Sequence, residues 1–338
     1  MPDDHGIDEL AEDITDEQLE WLAEKRSNER NFQAYREIER LIPGFSARIA
    51  GMDADTRADF FTLFQKGAND ARSDDFNRVS GLLGTWINED RHKPELKVFD
   101  RTPSMMVTDE RTGEQRLMEQ SAPLLGKNRA TRGLPHDIAG ALLTSISLDW
   151  NDFGTRTKIR NGQEDLNVDY YARVFYDGFN GDPQNLETGF CRSRYLLNAY
   201  RAVFTAPSSV VKDDENTPPV KKTKGPNGKC VAVKLGMDGK VTGRSIAYVC
   251  AHIWLSLTPA TAWTDEYYQV SLPQMYDFLV DYFEAPEAGT QARARVDALL
   301  AWWNQQIYPT HSASAATNKT ASASRAALRR QRAALEHS

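Results

Sequence analysis

Apolar residues recur at intervals of three and four along most of this chain, and that spacing constrains the fold more than any other feature. On an α-helix it gathers side chains into one stripe, whereas a half-buried strand needs strict alternation. Phe32, Tyr35, Ile38 and Ile42 form one such series, ended by Pro43-Gly44. Phe60, Phe61 and Phe64 mark a stripe expected to be buried, and Phe76, Val79, Leu82, Leu83 and Trp86 mark another on a second helical segment. The pattern returns in Tyr195–Val203, Ile246–Leu257 and Met275–Phe283, and the last core helix is expected over 291–307. Strands alternating with helices are missing, which argues against a doubly wound sheet.

Local signals place the ends of these helices. Thr15 with Gln18 is a capping-box pattern, expected to open a helix that runs, with or without a break, to Leu41. Ser271 with Gln274 is a second, with Pro273 tolerated in the first turn. Thr188 is expected to cap the helix carrying Tyr195, and Ser245 the helix carrying Ile246; a short helix is expected over 136–145. Residues 90–135 read as irregular. Short strands are expected at 172–176 and in KCVAVKL, which puts the minor β element between 165 and 240. Residues 207–229 have the composition of a flexible loop. The expected fold is mainly α: a single multi-helix globular domain over 30–310 with a minor β element. A flexible acidic N-terminal arm, 1–29, precedes it, and a disordered basic Ser/Ala-rich tail, 311–338, follows.

Composition narrows the partners. No apolar run reaches the roughly 18–20 residues that span a bilayer, and the N-terminal stretch is acidic, so no secretory signal or membrane contact is expected. The expected location is intracellular, cytoplasmic or nuclear. Three cysteines without a CxxC pair indicate neither a zinc site nor a disulfide framework, and Cys191 and Cys250 read as inert core thiols. The net charge of −7 is uneven. Residues 1–30 hold eleven acidic and three basic side chains, while 311–338 hold five basic and one acidic. The overall field repels phosphate, so nucleic acid would need a local patch such as Arg325–Arg332 in the tail.

Several stretches together carry a resemblance: AYREIERLIPGF, LFQKGANDARSDD, RGLPHDIAGALL followed by LDW, FCRSRYLLNAYRAVFTAPSSV, SIAYVCAHIWLSL and DALLAWWNQQIYP. In this order, over roughly residues 30–310, the chain resembles a large uncharacterised family, a domain of unknown function expanded in mushroom-forming basidiomycete fungi. The resemblance implies that taxonomy, an intracellular location and one α-rich unit; it implies no catalytic residues.

Chemical motifs are sparse. GxxxxGK[ST], GxGxxG and GxSxG are all absent, which counts against P-loop, Rossmann and ordinary α/β-hydrolase chemistry. The six histidines show no HxD or HxxxH spacing, so no metal or cofactor is assigned. His136-Asp137 is the most tempting acid–base pair, but adjacent residues on a helix do not face each other, and a capping role is the plainer reading. Arg194, Asn198 and Arg201 share a helix face and could clamp a phosphate or carboxylate; otherwise they form a solvated face or tie down the acidic loop at 177–187. Val296, Leu299, Leu300, Trp303 and Ile307 form one stripe, making Trp303 core. Trp302 lies about 100° away, either on a wide buried face or stacked on a ligand or partner.

No catalytic residue is assigned. The function expected is a non-enzymatic interaction module binding protein, or nucleic acid through the basic tail. The alternative is an enzyme or small-ligand binder whose polar pocket involves Arg194, Arg201 and His136, with Asn198 and Trp302 as further ligand contacts.

Overall fold

The computed structural model describes residues 15–90, 105–108, 115–118, 124, 129–164, 166, 169–205 and 230–309. The arm before residue 15, the whole 207–229 loop and the 311–338 tail therefore lie outside the described residues. The fold is mainly α. It divides into two compact units, residues 1–65 and 66–338.

In the first unit, helix α1 (Asp16–Leu41) opens on the expected capping box. Thr15 Oγ1 accepts from the Gln18 N–H, and the Gln18 side chain accepts from the Thr15 N–H. The helix runs unbroken and stops where Gly44 takes a left-handed φ of 76°. Helix α2 (Phe45–Ala50) follows. The Glu39 carboxylate accepts from Gly44 N–H, Ser46 N–H and Ser46 Oγ. The Ser46 bonds lower its pKa. Helix α3 (Ala54–Glu89) starts at Asp53, whose carboxylate accepts from Thr56. It is one helix of 36 residues where two segments were expected, because Gly67 lies inside it without breaking its backbone ladder.

Unit 1 corrects a second expectation. Phe45 is the one buried side chain among those described there. Phe60 and Phe64 pack on it with ring centroids 6.0 Å away, yet Phe61 and Phe64 remain exposed. Periodicity identifies residues that share a face; it does not supply something to cover them.

The second unit has a conventional core. The second half of α3 buries Phe76, Val79, Leu83 and Ile87. Helix α4 (Asp137–Leu143) and helix α5 (Phe153–Arg160, capped by Asp152) follow. Helix α6 (Arg194–Phe204) is capped by Ser193 rather than Thr188: Ser193 Oγ accepts from the Tyr195 N–H at 3.2 Å. KCVAVKL, expected as a strand, forms the one-turn helix α7 (Val231–Lys234). Helix α8 (Gly243–Ser256) is buried almost all round, as the central helix of a bundle must be. Thr242 caps it, with Ser245 as its reciprocal N3 partner and not the cap itself. Helix α9 (Leu272–Glu284) opens at Ser271, whose Oγ accepts from Gln274, as expected. Helix α10 (Gln291–Ile307) closes the unit.

Helix α8 packs between α6 and α9. The approach to α9 is close enough that a Cβ on Gly243 would sit 2.4 Å from Phe283 Cβ. The strands lie outside the expected 165–240 range. Strand β1 (Met105–Thr108) pairs antiparallel with β2 (Gln115–Met118), and β3 (Glu266–Tyr267) with β4 (Val270–Ser271). The expected strand at 172–176 is instead a 3₁₀ turn, Arg173–Phe175, with one bridge from Ala172 to Ser145. Among the described residues no helix is long and apolar enough to cross a membrane.

Candidate functional site

The polar residues singled out in the sequence fall into separate constellations. His136 is the N-cap of α4: its Nδ1 accepts from the Ala139 N–H at 3.2 Å. Asp137, expected at the cap, is the first helical residue. The two arginines of α5, one turn apart, reach it: Arg156 Nη1 at 3.2 Å and Arg160 Nη2 at 2.5 Å. Arg160 also donates to the Leu134 carbonyl and lies over the Trp150 ring, 5.2 Å from its centroid. Burial lowers the Arg160 pKa, and the Asp137 bond opposes that shift. The cluster anchors α5 to α4.

Arg194 and Arg201 engage different partners. Arg194 Nη1 meets Asp90 Oδ1 at 3.0 Å, and Tyr195 Oη donates to Asp90 Oδ2 at 2.9 Å. Burial first, then the Asp90 charge, raises the Tyr195 pKa. Arg201 donates to Asn198 Oδ1 at 3.4 Å and to the Gln306 carbonyl at 3.0 Å, tying α6 to the end of α10. Among the described residues, the acidic loop at 177–187 is held by Arg295, which pairs with Glu187. The two tryptophans separate as their spacing suggests. Trp303 is fully buried and donates from Nε1 to the Cys191 carbonyl at 2.9 Å. Trp302 is half-buried, with the Arg192 guanidinium 5.3 Å over its ring.

A further polar seam, where α3 faces α8, was not foreseen. Tyr248 Oη donates to Asp75 Oδ2 at 3.0 Å, and burial raises the Asp75 pKa. One turn on, His252 is fully buried between Tyr248 (4.3 Å) and Trp263 (4.7 Å), with neither ring nitrogen hydrogen-bonded. Burial, with the nearby Arg72 charge, lowers its pKa from 6.5 to about 3. One turn further, Arg132 donates to Ser80 Oγ, Ser80 O and Ser256 O. Residues 248, 252 and 256 share a helix face, the one signal that could have exposed this seam. Burial pushes the Cys250 thiol well above its ordinary value, and the adjacent Cys191 thiol adds to the shift, which leaves it a poor nucleophile. No group of three potential metal-ligating side chains occurs among the described residues.

Unit 1 offers a surface instead. Trp21 (60%), Phe32 (57%) and Tyr35 (44%) on α1 are exposed, as are Phe61, Leu63 (70%) and Phe64 on α3. At 100° per residue, Trp21, Lys25, Asn28, Phe32 and Tyr35 fall on one stripe. All five are exposed. The opposite face, with Arg26, Arg30, Gln33 and Ala34, is the half-buried one. The helix thus turns Trp21 and Phe32 to water while Arg26, Arg30 and Gln33 are half-buried beside Ile38, and Tyr35, though exposed, has its hydroxyl hydrogen-bonded to Ser46 of α2.

In the second unit the polar clusters described above are bonded internally between helices. A model of DUF6698, a family of unknown function, matches residues 66–308, and the chain belongs to that family. No curated protein and no solved structure matches the chain. The matched region begins where the second unit begins, so the aromatic face of unit 1 lies outside it.

Proposed function

We propose that this chain is a non-enzymatic interaction module that binds protein through the exposed aromatic face of unit 1. The observation that carries the reading is the exposure of Trp21 and Phe32 on α1. Contiguous exposed apolar surface on a folded chain marks an interaction site, and Trp, Tyr and Phe are enriched at interface cores. In unit 2 the charged groups are spent on holding helices together: Asp137 on Arg156 and Arg160, Asp90 on Arg194 and Tyr195. The competing reading, a small-ligand pocket built from Arg194, Arg201 and His136, draws on three side chains that serve three different contacts. A location inside the cell suits a module of this kind.

The test is site-specific photocrosslinking on the full chain in its native cells, with a photoreactive phenylalanine analogue at Phe32. A discrete protein adduct that disappears in Trp21→Ser supports the reading. No adduct, or one indifferent to Trp21→Ser, contradicts it. An adduct destroyed by nuclease would favour nucleic acid as the partner.

A further inference from the structure

We infer that the partner of the α1 face is a second copy of this chain, docked antiparallel along the stripe from Trp21 to Tyr35. The inference rests on the reading of α1 as a protein-docking face and specifies its occupant. Three observations favour self-pairing.

The first is spacing. Positions 21, 25, 28, 32 and 35 are separated by four, three, four and three residues, the seam spacing of paired helices. An antiparallel pair sets each position of one seam class opposite the other. In the register centred between 25 and 28, Trp21 packs on the partner's Phe32 and Lys25 on the partner's Asn28. Both Trp21–Phe32 layers are then aromatic, the central layers are polar, and Tyr35 falls opposite the partner's Gln18. Polar residues at a few seam positions fix register at some loss of stability. The Lys25 ammonium, now 5.2 Å from the Trp21 ring, would sit next to the same aromatic layer.

The second is charge. Residues 17–24 carry three acidic side chains and no basic one, while residues 25–41 carry five basic and three acidic. Antiparallel pairing lays each negative first half against a positive second half. Parallel pairing would put Lys25 against Lys25 and acid against acid. A two-fold dimer needs a surface that complements itself, and this one does so in the antiparallel sense.

The third is the poverty of the unit's own core. Phe45 is its one buried side chain among those described. Helices take most of their stability from packing an apolar face, and Trp21 and Phe32 of the α1 stripe are left exposed.

Sedimentation equilibrium of the full chain tests this. The wild-type chain should dimerise reversibly below roughly 100 µM. Trp21→Ser with Phe32→Ser should weaken the dimer about tenfold or more, helix content by circular dichroism being retained because both side chains are exposed. Glu20→Lys with Glu24→Lys should also weaken it. Mixing that variant with one carrying Arg30→Glu and Arg36→Glu should restore association, since negative and positive halves again face each other. A dimer that ignores the first pair of substitutions overturns the inference, as does one that the charge reversal leaves unchanged or strengthens, since relief of acid against acid would strengthen a parallel pair. A chain that stays monomeric also overturns it. A monomer whose Phe32 analogue still crosslinks to a different protein leaves the docking reading standing; a monomer without any adduct removes both.

Discussion

His252 supplies a quantitative test of the packing between α3 and α8. The ring is fully buried with both nitrogens unbonded, so the folded state holds it neutral with its N–H donor unsatisfied. An orphaned buried polar group costs about 1–3 kcal/mol. His252→Phe keeps the ring contacts with Tyr248 and Trp263 and removes the orphan, so the variant should be more stable by about 1–2 kcal/mol near pH 8. Acid widens the gap. The folded-state pKa is lowered to about 3 from 6.5, so below 6.5 the unfolded chain takes up a proton that the folded chain refuses. Stability from this group is complete above 6.5 and falls as pH drops toward 3, by about 1.4 kcal/mol per unit. Near pH 5 the wild-type chain should have lost about 2 kcal/mol that the variant has not. Urea unfolding of both chains at the two pH values measures the difference, and groups common to both cancel. A gap that stays constant between pH 8 and 5 would show that His252 is solvated or hydrogen-bonded, and would refute the argument.

Other expectations follow from single contacts. Asp137→Asn leaves Arg156 and Arg160 buried without their counter-charge and should cost about 3–5 kcal/mol in urea unfolding. Trp303→Ala should cost about 3–5 kcal/mol, whereas Trp302→Ala, at a half-buried site, should cost under about 1.5 kcal/mol, as thermal melts would show. Gly243→Ala drives a methyl into Phe283 and should destabilise by about 1–3 kcal/mol, with part of the loss recovered in the double variant with Phe283→Leu.

Helices were legible in the sequence because their signals are local. The capping box of Thr15 and Gln18, the start at Ser271 and the 291–307 span of α10 all depend on residues a few positions apart. Trp303 could be placed in the core from its stripe alone. Signals that depend on distant chain were hidden. Ser193 and Thr188 are equally good caps on paper, and the turn between them decides. KCVAVKL has the Val-rich composition of a strand, yet Val231–Lys234 closes a helical turn and no strand pairs with it among the described residues. Asp137 finds its arginines 19 and 23 residues away, so its ion pairs leave no local mark. The aromatic residues of α1 and α3 carried the clearest ambiguity. Their spacing marks a face, and the same face serves a core or a partner.

The central claim is that the α1 stripe is open on the single chain and covered when the protein is at work. Hydroxyl-radical footprinting of Trp21, Phe32 and Tyr35, with Trp303 as the buried control, tests it directly in dilute purified protein and in intact cells. High reactivity in dilution, protection in cells and an unreactive Trp303 in both are expected. Protection of the stripe already in dilute monomer, or equal reactivity in both settings, would contradict it.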